Sequence, residues 1–202
     1  MRIKTTIAVL TVASLAACSQ SGGTGSTGGT TGSTGGQATE ATGDPASFGN
    51  AVMDEFLSAF DEYNGYWQDN LGQFDPATAG SWDQYVQQAR GTANELRTRI
   101  ARLAEAYSPL PDLFEAEIAR GGIPPDEVDD LRELISAYGT WIEYERMEVG
   151  EFLDCLKLNP AEAIGCMADS ADTTAKSDDA ARRIYELQAS LFGITATPSP
   201  IP

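Results

Sequence analysis

SWDQYVQQARGTANELRTRIARLAEAY, residues 81–107, decides the fold. Trp82, Val86, Ala89, Ala93, Leu96, Ile100, Leu103 and Tyr107 recur in strict alternation of four and three residues. That spacing lines one face of an α-helix and cannot line one face of a strand. Ser81 followed by Gln84 reads as a capping box that starts the helix. Gly91 weakens the pattern only slightly.

The same period extends outward in both directions. Upstream, ASFGNAVMDEFLSAFDEYNGYWQDNL (46–71) sets Val52, Phe56, Phe60, Tyr63 and Trp67 on one stripe, and Asp44-Pro45 supplies a cap and a first helical proline. Downstream, SPLPDLFEAEIARGG (108–122) reads as a short connecting helix stopped by Gly121-Gly122. PPDEVDDLRELISAYGTWIEYERMEVGEFLDCLKL (124–158) carries Val128, Leu131, Ile135, Tyr138, Ile142, Val149, Phe152 and Leu156. Asn159-Pro160-Ala161-Glu162 is a further start signal, and the last helix is expected to run to Phe192 and stop at Gly193. Its weakest stretch, ADSADTTAKSDDA (168–180), lacks large apolar residues; Ala168, Ala171, Ala175 and Asp178 fall on its expected inner stripe, unless the helix breaks there. No segment alternates with period two, so no sheet is expected. The expectation is all-α: an antiparallel four-helix bundle with a short connecting helix, over residues 44–194.

Outside that domain the composition changes. Arg2 and Lys4 precede an uncharged, mostly apolar run from Thr5 to Ala17, the layout of a secretory signal over 1–17. The run is short against the ~20 residues a membrane-spanning helix needs. Its end, Leu15-Ala16-Ala17-Cys18, resembles the lipobox of bacterial lipoproteins. The resemblance implies cleavage before Cys18, a thioether-linked diacylglyceryl group on its sulfur, and an acylated (palmitate-type) N-terminus. It places the protein on the extracytoplasmic face of the cell membrane or outer membrane. The rest of the chain has the general look of helical envelope lipoproteins, which assigns no catalytic or binding position. Residues 18–43 are nearly all Gly, Ser and Thr and read as a flexible tether with a reach of roughly 25–30 Å. Residues 195–202, TATPSPIP, read as a Pro-rich disordered tail.

Charge and chemistry narrow the function. Thirteen basic residues face thirty acidic ones, and loss of Arg2 and Lys4 takes the net charge from −17 to about −19. That repels nucleic acid phosphates and favours a basic protein or envelope component as partner. The chain has no histidine, which removes the commonest general base and metal ligand near neutral pH. No phosphate-binding loop precedes a helix, and no D-x-[DN]-x-[DN]-G calcium loop occurs. No enzyme activity, cofactor or metal site is expected.

Three features remain. With Cys18 lipidated, Cys155 and Cys166 form a pair near one end of a helical hairpin, and a disulfide there stabilises by roughly 3 kcal/mol. Glu145 falls on the core stripe between Ile142 and Val149. Helix rise separates it from Asp178 by ~8 Å along the bundle axis, too far to share one metal ion. Local alternatives serve both acids: Asp178 pairing with Arg182, and Glu145 turning to the stripe's edge. Finally, Tyr66, Trp67, Phe74, Trp82 and Tyr85 gather at the turn joining the first two helices. There they pack as core, or Tyr66, Trp67, Trp82 and Tyr85 form a ligand or partner surface. The expected role is a non-enzymatic binding module; the alternative is a module for a small ligand or divalent cation.

Overall fold

The computed structural model describes residues 45–192. The signal segment, Cys18, the tether, the Asp44 cap, the Gly193 stop and the Pro-rich tail lie outside them. Among the described residues every regular element is helical. They are α1 (Pro45–Asn70), two 3₁₀ turns (Leu71–Phe74 and Pro76–Thr78), α2 (Trp82–Tyr107), α3 (Leu110–Ala119), α4 (Val128–Cys155), α5 (Pro160–Asp169) and α6 (Ala171–Phe192).

Two of the start signals show their cap bond. Ser81 accepts the Gln84 amide at 3.2 Å, and Asn159 accepts the Glu162 amide at 3.1 Å, each satisfying an N–H that the helix leaves unpaired. Gly121 ends α3 with a left-handed φ of 72°, and the Gly122 amide returns to the Glu117 carbonyl at 3.0 Å.

α4 is the central element. It packs most extensively on α6 and also on α2, while α1 packs on α2. Phe60 and Tyr63 of α1, Leu96, Ile100 and Leu103 of α2, Trp141 and Ile142 of α4, and Ile184 of α6 meet in one buried core. Each such side chain stabilises by about 1.5–3 kcal/mol relative to exposure. α1 reaches α4 through rings: Phe56 on Tyr138 at 5.3 Å, Phe60 on Trp141 at 5.4 Å and Tyr63 on Trp141 at 5.7 Å. At one end of α4 the Tyr107 hydroxyl donates to the Ile135 carbonyl at 2.8 Å. At the other, Arg90 donates to the Leu156 carbonyl at 3.0 Å. The short helix α3 buries Leu110 and Phe114 and is tied to α4 by Arg132–Glu115 at 2.8 Å.

One open alternative is resolved and one expectation changes. The helical stretch after Pro160 breaks, because α5 ends at Asp169 and α6 begins at Ala171. The inner face of α6 is also rotated from the expected stripe. It buries Thr173, Ser177, Ala180, Ile184, Leu187 and Gln188, while Ala168, Ala171 and Ala175 are exposed and Asp178 is half-buried. The large apolar residues Ile184 and Leu187 set the phase, and the polar residues before them follow it.

Candidate functional site

The buried polar groups of α4 start from its helical phase. Trp141, Glu145 and Val149 are four residues apart, so the face that puts Trp141 and Val149 into the core carries Glu145 with them. Glu145 is 3% exposed and does not turn to the stripe's edge. A carboxylate is tolerated there only if its oxygens are hydrogen-bonded. Tyr63 of α1 donates its hydroxyl to Oε2, and Ser177 of α6 donates to Oε1 at 2.5 Å. Tyr63 is 2% exposed and Ser177 1%. Three helices therefore converge on one carboxylate.

The electrostatics follow from that placement. Burial raises the Tyr63 pKa well above the ordinary tyrosine value, and the negative charge of Glu145, its hydrogen bond and the charge of Glu148 raise it further. Tyr138, bonded by Gln188 of α6 at 2.8 Å, is likewise raised by burial. Such groups hold their protons; they are not activated as bases or nucleophiles. Ser177 beside a carboxylate has the residue types of an activated hydroxyl, but both are sealed in the core. The arrangement ties helices.

The α6 hydroxyl that donates to Glu145 belongs to Ser177, the neighbour of Asp178. Arg182 pairs with Asp179 one turn back. Among the described residues no group of three or more Asp, Glu or Cys side chains is arranged to hold a metal ion.

The aromatic set is brought together in part. Trp67 stacks on Phe74 at 5.1 Å, and Phe152 of α4 meets Phe74 edge-on at 5.2 Å. Trp82 lies 5.2 Å from Tyr85, whose hydroxyl donates to the Phe74 carbonyl at 3.4 Å. Phe74 is thus the hub, and Phe152, which the local sequence did not associate with this turn, completes it. Tyr66 is elsewhere on α1, beneath the Arg99 guanidinium at 4.6 Å. Tyr85 is buried, and Tyr66, Trp67 and Trp82 are half-buried. The nearby surface groove is lined by Ala79, Gly80, Gln84, Gln87 and Gln88, with none of the four candidate rings. A second groove along α2 is lined by Arg97, Thr98, Ala101, Arg102 and Glu105. Both are shallow.

Cys155 and Cys166 form the expected disulfide, with Cα atoms 5.5 Å apart, and it fastens α5 to the end of α4. Cys155 is fully buried and Cys166 half-buried. No described helix is long and apolar enough to cross a membrane.

No protein-family model, curated protein or solved structure matches the chain.

Proposed function

We propose that the chain is a lipid-anchored module on the extracytoplasmic face of the bacterial envelope, working by binding a basic protein or envelope component and not by catalysis. Its helices α1, α2, α4 and α6 form an antiparallel four-helix arrangement, with α3 as connector. Residue pairs that run in opposite sequence directions support this topology. Tyr107–Ile135 and Arg90–Leu156 relate α2 to α4; Gln188–Tyr138, Ser177–Glu145 and Thr173–Glu151 relate α4 to α6. The anchor rests on Leu15-Ala16-Ala17-Cys18 and the tether behind it.

The observation that carries the binding reading is charge: thirty acidic against thirteen basic residues. Such a surface steers basic partners and repels acidic ones. The residue types best suited to chemistry, Glu145, Tyr63 and Ser177, are engaged with one another inside the core.

Crosslinking in the native envelope, followed by mass spectrometry, tests this at low and high salt. The expected result is a partner with a basic surface, enriched over an unrelated acidic lipoprotein on the same anchor and depleted as salt screens the attraction. Recovery of the same proteins as the control, at both salt concentrations, would contradict it.

A further inference from the structure

The two halves of α6 are held to α4 by different means. From Ala181 onward the buried face carries Ile184 and Leu187, joined by the Gln188–Tyr138 hydrogen bond and the Arg183–Glu133 ion pair at 2.6 Å. Before that point the buried residues are Thr173, Ser177 and Ala180, none of them a large apolar side chain. The cross-helix ties in this half include two hydroxyl-to-carboxylate bonds, Thr173 to Glu151 at 3.0 Å and Ser177 to Glu145 at 2.5 Å, and the exposed Lys176 charge lies near Tyr144 and Glu151 of α4. Hydrophobic area supplies most of the force that holds helices together, so the first half has much less of it per turn. Both its ends are nonetheless fixed. α5, immediately before it, is fastened to α4 by the Cys155–Cys166 disulfide, and Ile184 anchors the turn after it.

We infer that residues 171–180 form a strap that parts from α4 as a local unit while the rest of the molecule stays closed. Local openings of this kind come from segments with few buried apolar contacts. Opening breaks the Ser177 and Thr173 hydrogen bonds and brings water to Glu145 and Glu151. The Tyr63–Glu145 bond, which lies between α1 and α4, does not need to break.

Hydrogen–deuterium exchange of the complete, oxidised protein tests the strap, read on peptides covering 171–180 and 181–190. Helix fraying toward the chain end would make the second peptide the faster one. The strap reverses that order, and amides of 171–180 exchange at least about tenfold faster than those of 181–190. Ser177→Ala and Thr173→Val each remove one tie, and each raises exchange in 171–180 by about five- to tenfold while leaving 181–190 unchanged. Three results would overturn the inference: one common rate for both peptides in the unmodified protein, variants that accelerate both peptides alike, or a difference that neither variant changes.

Discussion

Glu145 sits where a leucine would ordinarily be, and the hydrogen bonds it accepts from Tyr63 and Ser177 help explain why it is tolerated. Losing one of them leaves the carboxylate under-bonded in the core. Tyr63→Phe is expected to destabilise by about 1.5–3 kcal/mol, the range for hydrogen bonds to charged groups. Glu145→Gln keeps an acceptor and a donor for the two hydroxyls and removes the buried charge, so it should cost under about 1 kcal/mol; Glu145→Leu strands both hydroxyls and should cost about 2–4 kcal/mol. Urea unfolding midpoints at constant m-value measure the order Gln, then Phe at 63, then Leu; a Leu variant as stable as the parent would remove the tie from the account. The buried tyrosines give a second prediction. Tyr63, Tyr85, Tyr107 and Tyr138 all have pKa values raised by burial. The folded chain then keeps protons that the unfolded chain loses near pH 10, so this stability is whole below about pH 10 and falls as pH rises through the folded values. Tyrosinate absorbance from these four should appear together with loss of helical circular dichroism; all seven tyrosines ionising near pH 10 with the helices intact would contradict it. The place of Glu145 on the core stripe was legible, but whether it stays inward was not. Neither were its partners, because Tyr63 is 82 residues away in the chain and reaching Ser177 requires the correct rotation of α6.

At the scale of elements, the glycines of the helices separate packing from propensity. A Cβ at Gly139 of α4 would meet the Tyr107 ring, with the hydroxyl at 2.6 Å, and that ring is held by its bond to the Ile135 carbonyl. Gly91 and Gly150 have nothing within 4 Å of the same atom. Gly91→Ala and Gly150→Ala should therefore stabilise by about 0.5–1 kcal/mol through helix propensity. Gly139→Ala should destabilise by about 1 kcal/mol or more, because the displaced ring outweighs that gain. Thermal unfolding of the three variants checks the change of sign. Caps and the period of α2 were readable because they are local: Ser81, Asn159 and the stripe from Ala89 to Leu103 lie within a few turns of the features that define them. α6 was misread for the opposite reason. ADSADTTAKSDDA has no large apolar residue to set a phase, so its orientation comes from Ile184 and Leu187 packing on α4, which is tertiary information.

For the whole molecule, the Cys155–Cys166 disulfide closes a short loop with eleven residues of sequence separation and should stabilise by about 3 kcal/mol. The double variant Cys155→Ala/Cys166→Ala should unfold at correspondingly lower urea concentration while keeping the helical spectrum of the parent. The helical class and this pairing were both accessible from spacing and cysteine arithmetic. The convergence of α1, α4 and α6 on one carboxylate was not, since no local pattern encodes it. We propose that lipidated Cys18 holds this acidic helical module at the envelope. This anchoring is tested most directly by mass spectrometry of the N-terminal peptide from protein extracted from native membranes. The account predicts a peptide that begins at Cys18 and carries a diacylglyceryl group and acyl chains; an unmodified Cys18, or a mature chain that begins at another residue, would contradict it.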